Sequence, residues 1–318
     1  MYTSTKNAFM AIAVVLAAVV MMIVSACKPA GNESTSSAAV ENQSTSKIVV
    51  VDIAPIHGLV KPILDAGYEI HTLIQPGQSP HSYQLKPSDA SLLARADLVV
   101  HVGAGLSPEL ARAIDRHASS QAVMSMADLT GIVVPDSEED HTGHDHVHGE
   151  HCAHGHGEVD PHLWLDPQLV RAFVHALAEQ SGAVNTDAVS ELIARIDFID
   201  AQYAESLESK IASTIITQHH AFSRLLTQYE INISDTVNDA LHLDPSPASI
   251  AVIADQLRSG TIDAVFVEPQ YPDTLARKLS ELSGVPVGVL DPLGTGDWVS
   301  MMESNLSSLI QTLPDRVP

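Results

Sequence analysis

Residues 186–210 read TDAVSELIARIDFIDAQYAESLESK, a stretch without glycine or proline. At 1.5 Å per residue, a helix over this segment would run about 37 Å, the size of a small lobe. Such a helix between two folded halves makes a stiff spine rather than a soft hinge. The alternative is a pair of shorter helices inside one lobe.

Working outward, apolar β-branched runs alternate with helical patterns on both sides. On the N-terminal side, Ile48–Ile53, Glu69–Ile74, Leu98–Val102 and Ala122–Met124 read as strands. Helices are expected at Ile56–Ala66, Pro87–Ala96 and Pro108–His117, and an amphipathic one at Pro167–Ser181, stopped by Gly182. On the C-terminal side, strands at Ile211–Thr217, Asn232–Val237, Ala264–Val267 and Val285–Leu290 alternate with helices at Ala221–Tyr229, Pro247–Arg258 and Pro272–Ser283. A helix at Trp298–Leu313 closes the chain. Alternation of this kind implies parallel sheets covered on both faces. The expected fold is α/β, with two lobes that each carry a parallel sheet flanked by helices, joined by a long rigid spine helix. The expected division is a lobe over 48–183, the linking helix over 184–212 and a second lobe over 213–318.

The first residues speak to location. Lys6 precedes an uncharged apolar run, Ala8 to Val24, which ends in Ile23-Val24-Ser25-Ala26-Cys27. Small residues stand where a signal peptidase would cut. Residues 1–27 therefore read as a lipoprotein signal peptide whose lipobox makes Cys27 the acylated first residue. A retained anchor or an ordinary secretion signal is the alternative. Residues 28–47, rich in Ser, Thr, Asn and Ala, read as a disordered tether reaching about 25 Å. The protein is expected outside the cytoplasmic membrane, lipid-anchored to its outer side or periplasmic, as a monomer.

The chain carries 39 acidic against 16 basic residues, a net charge of −23. Nucleic-acid binding needs clustered Lys and Arg and is excluded on that ground. With Cys27 assigned to lipid, Cys152 has no partner for an internal disulfide. That cysteine lies in DSEEDHTGHDHVHGEHCAHGHGE (136–158), which holds seven histidines and seven carboxylates. Such a segment has too little apolar surface to fold by itself. Neutral imidazole suits Zn, Cu, Ni and Fe. His141, His144, His146, His148, His151, His154 and His156 are thus expected to collect metal weakly, and the segment points to a cation rather than an organic ligand.

Four separated places look like an ordered site. His81 lies in a turn-rich segment after the second strand, and His162 in Asp160-Pro-His-Leu-Trp-Leu-Asp-Pro. His219 and His220 end a strand, and Asp291 follows another in Leu290-Asp-Pro-Leu-Gly. Singly, each is more often structural than a ligand. Loops outside the carboxyl ends of strands are nevertheless where open α/β sheets bind ligands, and two lobes could contribute two ligands each. His57, His71, His101, His117 and His175 read as packed or surface residues, and His242 as a loop residue.

The motifs Pro80-His81-Ser-Tyr, Asp160-Pro-His-Leu-Trp, Gln218-His219-His-Ala-Phe, Val267-Glu-Pro-Gln and Leu290-Asp-Pro-Leu-Gly occur in the order found in one family. From Ile48 onward the chain resembles the zinc-binding solute-binding proteins of metal ABC transporters, the zinc-uptake group with a His-rich loop. The resemblance implies metal held between two lobes by His81, His162, His219 and, in fourth place, Asp291. It also implies delivery to an ABC permease with its ATPase. Where relatives have His-Asp-Ala-Phe, this chain has His219-His220-Ala221-Phe222, so His220 is a neighbour or a competitor of the ligand. Glu268 is expected near the cleft without touching metal. Three imidazoles with one carboxylate or water suit Zn²⁺, whereas manganese asks for more oxygen. Binding is expected to weaken as pH falls through about 6.5. The competing classes are a metal-buffering or adhesin-like surface lipoprotein and a zinc hydrolase. For the hydrolase there is no His-Glu-x-x-His, no Gly-x-Ser-x-Gly and no evident general base.

Overall fold

The computed structural model describes residues 46–316 except 65, 119–121, 134–158, 183–184 and 238–246. The expected leader with Cys27, the tether, the His-rich segment and His242 lie outside the described residues.

The first lobe runs β1 (Lys47–Val51), α1 (Ala54–Val60), β2 (Tyr68–Thr72), α2 (Pro87–Leu93), β3 (Leu98–His101), α3 (Pro108–His117), β4 (Ala122–Ser125) and α4 (Met126–Leu129). Then come α5 (Pro167–Ser181) and α6 (Thr186–Leu207). The second lobe follows with β5 (Thr214–Thr217), α7 (Ser223–Gln228), β6 (Asn232–Thr236), α8 (Pro247–Ser259), β7 (Ala264–Val267), α9 (Thr274–Ser283), β8 (Val287–Val289) and α10 (Trp298–Thr312). Each lobe has one four-stranded sheet, in the orders β2-β1-β3-β4 and β6-β5-β7-β8, and every pairing is parallel. Central strands are buried on both faces, as their unbroken apolar runs require: Val49, Val50 and Val51 are sealed, and so is all of β7. In each sheet the strand order reverses between its two central strands, which opens a crevice at their carboxyl ends.

The spine is one helix. Asn185 caps it by accepting from the Ala188 amide, and Val189, Leu192, Ile196, Ile199, Tyr203 and Leu207 form its buried stripe at helical spacing. It ends at Leu207 rather than Lys210, the last three residues tightening into a 3-10 turn, and spans about 33 Å. Other boundaries also move for local reasons. β1 stops at Val51 because the Asp52 carboxylate turns the chain, accepting from the Ile53 and Val102 amides. β5 starts only at Thr214, since Ala212 is left-handed with φ 61°.

Both sheets and α6 share one continuous apolar core within the compact unit Ser44–Pro318. Buried indoles reinforce it. Trp164 Nε1 donates to the Pro292 carbonyl at 2.6 Å, and Trp298 Nε1 to the Trp164 carbonyl at 2.7 Å. No described helix is long and apolar enough to cross a membrane.

Candidate metal centre

The three expected histidines reach one point from different elements. His81 sits in a 3-10 turn, Pro80–Ser82, beyond β2, where Pro80 fixes the backbone of its first residue. His162 precedes the turn Leu163–Leu165, whose three side chains are buried and so anchor it. His219 follows the end of β5, with Thr217 Oγ1 donating to its carbonyl at 2.8 Å.

Their Nε2 atoms face one another. His81 Nε2 lies 3.2 Å from His162 Nε2, which lies 3.3 Å from His219 Nε2. All three ligand atoms fall within 4.8 Å, and among the described residues this is the group able to hold an ion. A tetrahedron with Zn–N bonds of about 2.0–2.1 Å has edges of about 3.3 Å. The two spacings from His162 match that edge.

Carboxylates fix which nitrogen faces inward. His162 Nδ1 is 2.8 Å from Asp160 Oδ1, and His219 Nδ1 is 2.6 Å from Glu268 Oε1. Both oxygens also accept backbone N–H groups, from His162 and His219 respectively, an acceptor role that suits the tautomer with the proton on Nδ1. Each Nε2 is then left with its lone pair. Two lone pairs 3.3 Å apart repel, and a cation between them converts that repulsion into bonding.

Burial tunes the group. It holds His162 below its usual range and His219 at about 4, so both stay neutral at pH values where a free imidazole is charged. Proton competition at these two rings therefore begins below the 6.5 expected from sequence. Burial opposes ionisation of Asp160, yet side-chain and backbone hydrogen bonds from His162 and the charge of Arg224 hold that carboxyl low. Glu268, almost wholly buried, is raised to about 8 by desolvation, and its Oε2 is buried without a hydrogen-bond partner.

Asp291 does not join the group. Its Oδ1 accepts from Gln270 Nε2 at 2.7 Å and from the Leu293 amide at 3.0 Å and so shapes the turn after β8. His220 is exposed, one residue past the site. His57 bonds Thr72 Oγ1 and His71 pairs with Glu69, both away from the ion position. Sequence reasoning gave no role to Asp160 or Tyr271, although both stand in the quoted motifs or beside them. Asp160 lies two residues before His162, and the Tyr271 ring stands edge-on to His219 at 5.4 Å.

Residues 49–312 match the family described as zinc-uptake complex component A, periplasmic, ZnuA. The chain belongs to this family. Among its relatives, the zinc-binding lipoprotein AdcA of Streptococcus pneumoniae is 26% identical over 301 residues, covering 87% of this chain and 58% of AdcA. The chain thus spans less than two thirds of that relative's length. The high-affinity zinc uptake system protein ZnuA of Yersinia pestis is 25% identical over 268 residues, covering 79% of this chain and 84% of the relative. A ZnuA crystal structure superposes with a TM-score of 0.69 at 18% identity, covering 84% of this chain and 99% of that one, and shares its fold. This ZnuA-family chain therefore has two parallel-sheet lobes joined by a spine helix, as its sequence implies.

Proposed function

We propose that this protein is a receptor that captures Zn²⁺ outside the cytoplasmic membrane and delivers it to an ABC permease. The observation that carries the reading is the convergence of three imidazole nitrogens, with His162 Nε2 at a tetrahedral edge from each of the other two and two rings oriented by carboxyl groups. His81, His162 and His219 are the ligands. A water takes the fourth place, because no oxygen of Asp291 falls within the group of ligand atoms. Three neutral nitrogen donors favour zinc over manganese. Membership of the ZnuA family and the names of AdcA and ZnuA support uptake, with an ABC permease as partner, and argue against an enzyme. Cys27 is the lipid attachment point and the chain is a monomer, readings that rest on sequence alone. The histidines of 141–156 collect zinc for the ordered site without being part of it.

Calorimetric titration of metal-free protein tests this. One tight zinc per chain, lost in His162→Ala and retained in His146→Ala, is expected. A wild-type chain without a tight site, or one whose affinity survives His162→Ala, overturns the reading.

A further inference from the structure

Two hydroxyls meet across the mouth of the pocket. Ser79 belongs to the first lobe, two residues before His81, and Tyr271 to the second, four residues past β7. Their oxygens are 3.2 Å apart although the residues are 192 apart in sequence. The Tyr271 ring meanwhile stands edge-on to the ring of His219. Its backbone is fixed from behind, since the Tyr271 amide donates to the Glu268 carbonyl and Gln218 Nε2 donates to the Pro272 carbonyl.

The two sides of the cleft are held differently. At the back, the lobes are tied by the buried indole bonds of Trp164 and Trp298. At the front, the partly exposed Ser79–Tyr271 bond spans the lobes beside His81, the least buried of the three histidines. Ser79, Pro80 and Tyr271 line the pocket, which has room for about one water or one ion. These residues stand beside His81 in the pocket wall.

We propose that Ser79 and Tyr271 form a clasp across the pocket mouth that sets how fast the bound ion escapes. The inference rests on the receptor reading above. The two hydroxyls are positioning groups that hold the mouth shut and the His219 ring in place. A neutral hydrogen bond of this kind changes an equilibrium by about two- to tenfold.

The test is stopped-flow release of zinc from the loaded full chain into excess chelator. Tyr271→Phe and Ser79→Ala should each release zinc about two to ten times faster than wild type, with association changed much less. The double variant should release no faster than either single one, and Ser79→Thr should keep the wild-type rate. In metal-free protein, Tyr271→Phe should also raise amide hydrogen exchange over residues 76–83. Unchanged release in both variants, with one zinc still bound tightly, overturns the clasp alone. So does a double variant in which the two accelerations multiply. A wild-type chain with no tight site overturns the receptor reading and the clasp with it.

Discussion

At the scale of single residues, the nitrogen that does not touch the ion governs the one that does. Asp160 accepts from His162 Nδ1 and its carboxyl is kept ionised, so it both orients the ring and adds basicity to Nε2. Its side chain is 27% exposed, so removing it should cost binding more than folding. Asp160→Ala is expected to weaken zinc binding by about 10–100-fold in calorimetry, while Asp291→Asn stays within a few-fold of wild type. A large loss in Asp291→Asn would return that carboxylate to the fourth ligand position. Asp52 offers a separate test of burial. Desolvation raises it from 3.8 to about 6, so the folded state takes up a proton more readily than the unfolded chain. That stabilisation, ~3 kcal/mol, is full below about pH 4 and lost as pH rises through 6. In urea unfolding, Asp52→Asn should therefore lag wild type most at pH 4 and recover by up to ~3 kcal/mol at pH 7. A deficit identical at both pH values would refute the assignment.

At the scale of elements, α1 lies so close to the segment before α10 that a methyl group on Gly58 would overlap the Gly296 carbonyl. Both partners at that contact are backbone, which cannot rotate away. Gly58→Ala should consequently destabilise the chain by about 1–3 kcal/mol, despite the better helix propensity of alanine. A rise in the thermal midpoint would mean that the two elements can separate without cost. This contact was not legible in the sequence, where Gly58 is merely a glycine inside a helical pattern. The alternation of strands and helices was legible, because central parallel strands such as Val49–Val51 and Ala264–Val267 must be apolar on both faces. Strand ends were not, since they depend on one carboxylate at Asp52 and one left-handed residue at Ala212. Site histidines could be read from their motifs, which put His81 and His219 in loops after strands and His162 between the His-rich segment and a helix. The engagement of Asp291 by Gln270 and the Ser79–Tyr271 bond were hidden, being contacts between distant segments that no local pattern records.

At the scale of the molecule, the question is whether two lobes mean two folding units. The main core takes in Val49–Val51 of the first sheet, Ile215 and Phe266 of the second, and the buried stripes of α6 and α10, without a break. Tyr203 Oη on α6 also donates to the Met302 carbonyl on α10 at 2.8 Å. Opening one lobe would therefore strip apolar surface from the other, and the lobes should unfold together. A smaller core, with Ile216, Ile253, Leu257 and Val265, lies apart from the main one under α8 and α9, so those helices should show the fastest amide exchange of the second lobe. Calorimetry of metal-free protein is expected to give one transition. Because the proposed zinc ligands come from both lobes, zinc should move that transition as a whole. At a free concentration about 1,000 times Kd the gain is ~4 kcal/mol, or very roughly 8–16 °C at this chain length. Two transitions, of which zinc shifted only one, would mean that the shared core does not couple the lobes and that the ion is held by one of them.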